Sequence, residues 1–267
     1  MTDTSSFVAT GSEGWLFLKA GSNRNAEQLA GVYPLPKDFD DEWRDLLTER
    51  RNQFEKLGIR YLFFVAPAKE VVYAAYLPAD LTISDDRPIR RVQKAAAGLV
   101  DMIYPVDSFV AASASARLYA QNDTHWTADG TVFAYHEVIA ALGMVPLARE
   151  MITTKNGIMN DLGSKIGREN PPEPISAQAR SPRHRIVENN EIKPLGNRIV
   201  TEVDDPDLPT AVIFRDSFLT HGIYLYAQHF RRMVVVWQPN IDWSLIAAEK
   251  PNYVVSELAE RDRKSVV

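Results

Sequence analysis

Short runs of apolar residues alternate with segments of helical periodicity along most of the chain. Residues 60–66 (RYLFFVA) form a continuous apolar run that ends at Pro67, which is typical of a strand buried on both faces of a parallel sheet. In residues 37–57 apolar positions recur at helical spacing, and Gly58 follows where a helix would end. The same signals predict five core strands, at residues 60–66, 102–106, 211–214, 233–237 and 253–257.

The order of these elements favours a single α/β domain over residues 1–267. Helices are predicted between the strands, at residues 37–57, 88–99, 107–119, 128–142 and 241–249. Strands that alternate with helices in this way form a parallel sheet covered on both faces, with the site at the carboxyl ends of the strands. Residues 151–209 are rich in Pro, Asn and Arg and show little periodicity. They are interpreted as a loop-rich insertion with short strands.

Ser217 follows the predicted strand at residues 211–214 and precedes apolar residues at helical spacing. At such a strand-to-helix switch a side chain can point into the cleft at the carboxyl end of the sheet. Backbone N–H groups at the start of the helix face the same way, which suits a developing negative charge. Serine is also a preferred N-cap residue, and from this segment alone a capping role is favoured over a catalytic one.

The segment Asp123-Thr124-His125 changes that balance. In an extended loop, residues i and i+2 face the same side, so Asp123 and His125 can project together. A carboxylate beside an imidazole fixes its tautomer, and His125 could then act as a general base on Ser217. The alternatives are a loop hydrogen bond or half of a metal site. A metal is disfavoured because no other His or carboxylate is spaced to complete a site and Cys is absent.

Composition bounds the possible functions. With a net charge of −5 and no long run of either sign, wholesale nucleic-acid binding is not expected. The absence of cysteine excludes disulfides, thiolate metal sites and cysteine nucleophiles. The first residues lack the basic region and apolar core of a signal peptide, and no apolar run is long enough to span a membrane. As written, the sequence therefore indicates a soluble, cytoplasmic protein.

Several short motifs occur in an order that resembles the alginate O-acetyltransferases of the SGNH-hydrolase-like superfamily. The motifs are similar to that family's G-x-D/E-G-W-L-F, P-x-K…VY…LP, D-x-H-W-T, G-D-L, G-D-S-F and P-D-x-V-I-x-E…E-R. In this chain they stand at residues 11–17, 67–78, 123–127, 160–162, 214–218 and 251–261. Arg215 occupies a position where glycine is usual. Each motif is short, but the ordered set is specific and spans nearly the whole chain.

The resemblance implies an SGNH-hydrolase-like three-layer sandwich in a circularly permuted order, with D-x-H before the serine. It implies that Ser217 is the nucleophile, His125 the base and Asp123 the residue that orients His125. The expected reaction is O-acetyl transfer to a polysaccharide through an acetyl-serine, or acetylesterase hydrolysis, without a cofactor. Members of the family act in the periplasm behind a signal or anchor, and a polysaccharide-assembly complex is a possible partner. The alternative is a non-catalytic carbohydrate-binding or scaffold protein that keeps the fold.

Four residues near the predicted cleft are candidates for substrate binding. Lys69 could bind substrate, stabilise an oxyanion, or form a salt bridge at a strand end. Arg215, beside the nucleophile, could hold a uronate carboxylate or lie in solvent. Tyr73 and Trp126 suit the faces of sugar rings, although tryptophans belong to the core by default. A structural ion pair is expected at the end of the last strand, among Glu257, Glu260 and Arg261.

Overall fold

A computed structural model of the chain describes residues 7–190 and 196–262. Helices α1 to α8 are Asn25–Leu29, Phe39–Leu57, Lys69–Val72, Pro88–Ala96, Val106–Ser113, Ala128–Ala141, Ile223–Tyr226 and Trp243–Glu249. Strands β1 to β11 are Val8–Thr10, Leu16–Leu18, Arg60–Ala66, Asp101–Ile103, Ile152–Gly157, Glu173–Ala179, His184–Asn189, Arg198–Val203, Thr210–Arg215, Arg232–Trp237 and Tyr253–Ala259. Short 3-10 turns lie at Ser12–Gly14, Ala74–Tyr76, Arg149–Met151, Gly163–Ile166, Phe218–His221, Ala227–His229 and Glu260–Asp262.

A seven-stranded sheet in the order β4-β3-β11-β9-β10-β8-β7 forms the centre of the molecule. The neighbours from β4 to β10 run parallel, and these are the five predicted core strands. The α/β class is therefore confirmed, but the sheet is larger than predicted. β8 and β7 extend it by antiparallel pairing, and both come from residues 151–209. β7 is the exposed edge of the sheet, so it carries no continuous apolar run.

Alternate residues of the parallel strands enter two hydrophobic cores, one on each face of the sheet. On β3, Phe63 and Val65 pack with the core beneath α2, α4 and α8. Phe64 and Ala66 face the other way, into the core beneath α6 and α7. Side-chain direction alternates because a strand has a period of two residues. Strands that are apolar on both faces therefore produce three layers, with helices on either side of the sheet.

The longer helices place one apolar stripe on the sheet and a polar face in water. The buried positions of α2 recur at helical spacing and include Phe39, Trp43, Leu47 and Phe54. α2 ends at Gly58, whose φ of 65° is the left-handed conformation that closes a helix. Thr127 caps α6 as predicted, because its Oγ1 accepts the Gly130 N–H at 3.3 Å. Among the helices of the described residues, none has the length and apolar content needed to cross a bilayer.

The segment after Ser217 is not the single helix that its apolar spacing predicts. It consists of three short turns, at Phe218–His221, Ile223–Tyr226 and Ala227–His229. The regular helix is interrupted at Gly222, where a Cβ would lie 2.7 Å from Thr131 Cγ2 of α6. Gly222 has a non-helical φ of −124°, so the helical periodicity of the apolar residues does not produce one continuous helix here.

The carboxyl ends of β3, β9 and β11 meet at one edge of the sheet, with β11 between the other two. Ala68, just after β3, donates its backbone N–H to Glu260 Oε2 at 2.7 Å. Asp216, just after β9, accepts the backbone N–H of Ala259 at 2.6 Å through Oδ2. These bonds bring the segments that follow the three strands into contact. Ser217 therefore lies at the edge where a parallel α/β sheet places its site.

The loop at residues 119–126 carries the D-x-H motif and is held at the start of α6. An isolated β-bridge between Tyr119 and Trp126 closes the loop. Gly130, in the first turn of α6, packs directly on the chain that enters it. A Cβ at Gly130 would lie 2.0 Å from the carbonyl oxygen of Leu118. Position 130 therefore admits no side chain unless the loop or the helix moves.

Gly130→Ala tests this contact, because two effects on stability have opposite signs. Alanine exceeds glycine in helix propensity by about 1 kcal/mol, so α6 alone would gain stability. We expect a lower denaturant midpoint instead, since the new Cβ must displace the Leu118 carbonyl. Ala140→Gly, at an exposed position of the same helix, is the control that reports propensity without such a contact. A stability gain for Gly130→Ala would contradict the packing described here.

Candidate active site

Ser217, His125 and Asp123 form a continuous chain of hydrogen bonds. Ser217 Oγ lies 2.8 Å from His125 Nε2, and His125 Nδ1 lies 2.7 Å from Asp123 Oδ1. Each ring nitrogen is thus engaged by a different group. With the carboxylate holding the proton on Nδ1, Nε2 is left to accept the serine proton. The His125 side chain is 21% exposed, so the pair is accessible from solvent.

Asp123 carries its negative charge despite its burial. Burial alone would raise its pKa, but the hydrogen bond and charge of His125, with two backbone N–H groups, lower the pKa of Asp123 to about 2. Its Oδ2 accepts the Asp161 N–H at 2.7 Å, and its Oδ1 accepts the His125 N–H at 2.9 Å. The anion that supports an imidazolium is therefore in place at neutral pH.

Ser217 does not cap the turn that follows it. Its hydroxyl is bonded to His125 and makes no capping bond. Asp216 takes the capping role, because its Oδ1 accepts the Phe218 N–H at 2.8 Å. Its other carboxylate oxygen binds the backbone of β11 at Ala259. Asp216 thus accepts the N–H at the start of the turn, and Ser217 Oγ stays available for chemistry.

The backbone N–H of Ser217 is a possible donor to a substrate. Within residues 7–190 and 196–262, it donates to no protein oxygen. Ser217 itself is half-buried at the exit of β9. A free amide beside a nucleophile is the type of donor that holds the oxyanion of a tetrahedral intermediate.

Lys69 lies beneath the D-x-H loop and not on the wall of the cleft. Its Nζ is 2.7 to 2.9 Å from four backbone carbonyl oxygens, those of Leu16, Ala120, Gln121 and Asp123. Four acceptors suit an ammonium, since a neutral amine has only two donors. Burial lowers the pKa of Lys69 to about 7, and nearby carboxylates act in the opposite direction. Lys69 therefore fixes the path of the loop backbone, and at 2% exposure it offers no surface to a substrate.

Tyr73 and Trp126, the aromatic candidates for sugar binding, are also core residues. The Tyr73 hydroxyl accepts the Leu118 N–H at 2.9 Å, and its ring stacks on Trp15 at 4.2 Å between centroids. Trp126 packs edge-on against Phe218 at 4.9 Å and is 2% exposed. Tyr73 thus bonds the chain that enters the D-x-H loop, and Trp126 packs the end of this loop against the turn after Ser217. Neither is exposed enough to stack on a sugar in this structure.

Arg215 is buried beside the nucleophile, which corrects the expectation of a solvated or substrate-facing guanidinium. It lies 4.3 Å from the Trp237 ring centroid and donates to Thr220 Oγ1 at 2.8 Å and Asn197 Oδ1 at 3.1 Å. Burial lowers the pKa of Arg215 to about 10, against the opposing charges of two carboxyl groups. Its donors are directed into the protein, so Arg215 braces the turn that carries Ser217.

Asp161 belongs to the site, although spacing alone did not indicate it. Its carboxylate accepts the Thr124 N–H at 2.8 Å and the Thr124 hydroxyl at 2.5 Å. Burial and then the neighbouring charge of Asp123 raise the pKa of Asp161. Asp161 therefore holds the middle residue of the D-x-H motif. The only signal in the sequence was the resemblance of residues 160–162 to the G-D-L motif.

Asp161 also supplies a third group that could ligate a metal, contrary to the expectation from spacing. Ligand-type atoms of Asp123, His125 and Asp161 lie within 4.8 Å of one another. Asp161 Oδ2 is 3.8 Å from His125 Nδ1, whereas Asp123 Oδ1 is 2.7 Å from the same nitrogen. In this arrangement the histidine nitrogen that faces the carboxylates is occupied by a hydrogen bond. The geometry suits orientation of an imidazole for proton transfer.

An ion pair does form at the end of β11, but its cation comes from elsewhere in the chain. Glu260 pairs with Arg87 at 3.0 Å and accepts the Tyr104 hydroxyl at 2.8 Å, and all three side chains are buried. Arg261, the expected partner, places its guanidinium 5.2 Å from the centroid of Phe218. Arg261 thus lies beside the turn that carries the nucleophile.

Three of the other four histidines form hydrogen bonds with groups other than Ser217. His136 Nε2 bonds the Leu147 carbonyl at 3.0 Å, and His229 Nε2 bonds the Tyr135 hydroxyl at 2.7 Å. His184 Nδ1 lies 2.7 Å from Gln228 Nε2. These three are structural. His221 is nearer the site, and burial followed by the charge of His125 lowers its pKa, which favours a neutral ring.

A family model describing the SGNH hydrolase-like domain of the acetyltransferase AlgX matches residues 8–163. The matched region contains Asp123, His125 and Asp161 and ends before Ser217. Among curated proteins, no sequence matches the chain. The matched region nevertheless covers more than half of the 267 residues.

Solved structures share the fold over almost the whole chain. Bacillus cereus PatB1 with a sulfonyl adduct has a TM-score of 0.70 at 12% identity, covering 97% of this chain and 98% of that one. The O-acetyltransferase domain of Pseudomonas putida AlgJ has a TM-score of 0.61 at 17% identity, covering 97% and 92%. Pseudomonas aeruginosa AlgX has a TM-score of 0.56 at 14% identity, covering 94% and 62%. The structural likeness establishes the fold, and with the family match it shows that this chain belongs to the family of the SGNH hydrolase-like domain of the acetyltransferase AlgX.

Proposed function

We propose that this protein is a serine-dependent O-acetyltransferase or acetylesterase that acts on a polysaccharide through an acetyl-serine. The observation that carries the proposal is the chain of short hydrogen bonds from Ser217 Oγ through the His125 ring to Asp123. A serine is a weak nucleophile unless a positioned base takes its proton. The family supplies the acetyl chemistry, and this geometry supplies the residues that would perform it.

In the first half-reaction, Ser217 Oγ attacks the carbonyl carbon of the acetyl donor while its proton moves to His125 Nε2. The Asp123 carboxylate stabilises the resulting imidazolium, and the Ser217 N–H holds the oxyanion of the tetrahedral intermediate. The bond to the leaving group then breaks. The leaving oxygen takes the proton from His125, and acetyl-serine remains.

In the second half-reaction, His125 Nε2 takes the proton of an acceptor hydroxyl, whose oxygen attacks the acetyl-serine carbonyl. Collapse of the second tetrahedral intermediate returns the proton to Ser217 Oγ and releases the acetylated acceptor. If water is the acceptor, the product is acetate. Transfer and hydrolysis therefore share every protein group and differ in which hydroxyl reaches the acyl-enzyme first.

A saccharide hydroxyl is the proposed acceptor in preference to a lipid or peptide. The support is the motif resemblance to alginate O-acetyltransferases, together with the likeness to a domain described as the O-acetyltransferase domain of AlgJ. Ser217 and His125 are both partly exposed at the edge of the sheet, where the hydroxyl of an acceptor can reach them. A polysaccharide-assembly complex remains the proposed setting for such an activity.

Acetylation of Ser217 is the first expected outcome. Incubation with p-nitrophenyl acetate should add one acetyl group to the protein, detected by intact mass and located by peptide mapping. Ser217→Ala should abolish the adduct and the ester turnover while leaving the unfolding midpoint unchanged, because it removes one half-buried hydroxyl. His125→Ala should lose comparable activity, since residues that act as a unit are non-additive. Ser181→Ala, at an exposed position, is the matched control.

Two results would contradict the proposal in different ways. Near-normal turnover by Ser217→Ala would show that another group is the nucleophile. A wild-type protein that neither forms the adduct nor hydrolyses the ester, yet binds oligosaccharide in calorimetry, would be a scaffold or binding protein instead.

A steep preference for short acyl groups is the second expected outcome. The proposed acetyl-serine requires only a small acyl pocket beside Ser217, and a small pocket excludes longer acyl chains. Turnover of nitrophenyl esters should therefore fall about tenfold or more from acetyl to butyryl. Deacetylated oligosaccharides should accelerate release of nitrophenol by accepting the acetyl group. Equal rates on long acyl esters, with no effect of any oligosaccharide, would indicate a lipid or general esterase.

A further inference from the structure

Glu257 is a buried carboxyl group that the proposed chemistry does not use. It lies on β11 with 0% exposure, on the face of the sheet that carries Ser217. Its Oε2 accepts the backbone N–H of Asp216 at 3.2 Å. Its Oε1 is buried and has no hydrogen-bond partner among the described residues. Such an oxygen is unusual in a folded protein and needs an explanation.

The neighbouring carboxyl group of Asp216 provides the explanation, because the two acidic side chains interact directly. Two carboxylates in contact in a low-dielectric interior cannot both be ionised without a counter-ion. Asp216 accepts two backbone N–H groups, from Phe218 at 2.8 Å and from Ala259 at 2.6 Å. These bonds stabilise the charge on Asp216. The proton shared by the pair therefore belongs on Glu257.

The charged and titratable groups around Glu257 agree with this assignment. Arg215, from β9, is within range of its charge, but no ion pair joins it to Glu257 among the described residues: its terminal nitrogens bond Thr220, Asn197 and the Asp216 carbonyl, and its buried Nε makes no hydrogen bond. Tyr226, from α7, is the other titratable group nearby, and burial raises the pKa of this tyrosine, so it brings no charge to the pair. Burial and then Asp216 raise the pKa of Glu257 well above 4.5, its ordinary value.

We propose that Glu257 is a positioning residue whose neutral carboxyl donates a hydrogen bond to Asp216 and so holds Ser217 in reach of His125. The bond runs from β11 to the residue that precedes the nucleophile. Asp216 in turn holds the Phe218 amide on the other side of Ser217. The serine is thus fixed from both sides by a group that touches neither substrate nor the imidazole. This role rests on the function proposed above, whereas the protonation of Glu257 does not.

The proposal makes stability depend on pH with a definite sign. A carboxyl group that keeps its proton in the folded protein and loses it in the unfolded chain makes folding less favourable as the pH rises above about 4.5. The loss continues until the pKa of the folded state is reached. Each pH unit in that window changes the folding equilibrium by about tenfold for one proton. Glutamine at position 257 has the same shape and a permanent donor, so it removes this dependence.

The first measurement compares denaturant unfolding of the wild type, Glu257→Gln and the control Glu55→Gln from about pH 5 to about pH 8. Glu55 is exposed on α2, so the control repeats the chemical change away from Asp216. We expect the ratio of unfolding constants, wild type over Glu257→Gln, to rise by about tenfold per pH unit over part of this range. Parallel curves for the wild type and Glu257→Gln would show that Glu257 is ionised and would overturn the proposal.

The second measurement separates positioning from simple structural support. Glu257→Gln should keep kcat for p-nitrophenyl acetate within about threefold of wild type, whereas Glu257→Ala should lower kcat by about tenfold or more with little change in KM. Amide hydrogen exchange, which needs no activity, should accelerate at Phe218 and Ala259 in Glu257→Ala and stay slow in Glu257→Gln. Equal exchange rates in both variants would overturn the positioning role. If the wild type has no esterase activity, the proposed function fails, and the unfolding and exchange results still decide the state of Glu257.

Discussion

The path of the D-x-H loop depends on one buried cation. Lys69 follows β3, and its Nζ lies within hydrogen-bond distance of the carbonyl oxygens of residues 120, 121 and 123 and of Leu16 in β2. The Lys69 ammonium has three N–H groups for these four oxygens, and a buried carbonyl left without a donor would cost about 1–3 kcal/mol, so the cluster favours this path of the loop. The loop has little regular secondary structure of its own. The Lys69 side chain, at the carboxyl edge of the sheet, sets the path of the loop instead. It thereby positions Asp123 and His125.

Two pairs of acidic groups flank the catalytic chain and follow one physical rule. In each pair, the carboxylate that accepts two backbone N–H groups is the one suited to carry the charge, and its neighbour, which accepts one, has a raised pKa. Beside the imidazole, Asp123 is the anion and the pKa of Asp161 rises. Beneath the nucleophile, Asp216 holds two backbone amides and the pKa of Glu257 rises. Negative charge is therefore concentrated beside the ring where an imidazolium forms. Of the two acidic groups next to Ser217, one stays neutral.

Periodicity in the sequence was sufficient for the parallel core. The five core strands were predicted because a strand buried on both faces must be apolar at every position, and this leaves a continuous run such as residues 60–66. Antiparallel strands leave a weaker signal. β7 lies at an edge and is exposed at nearly every position on both faces, so its residues are polar enough to resemble a loop. The prediction of one helix after Ser217 was wrong for another reason: Gly222 has a non-helical φ of −124° and packs so closely on α6 that a Cβ there would lie 2.7 Å from Thr131.

The sequence by itself indicated the α/β class, the parallel strand set and the three residues Asp123, His125 and Ser217, because each of these depends on local pattern or on ordered motifs. Only the tertiary structure decided how those three residues meet and what surrounds them. Lys69, Tyr73, Trp126 and Arg215 have the residue types of a sugar-binding surface, yet all four are buried. Asp161 and Glu257 contact the site through hydrogen bonds to residues that are distant in the sequence. Burial and electrostatic environment are properties of the packed chain, and a residue's type and position along the sequence do not specify which groups will surround it.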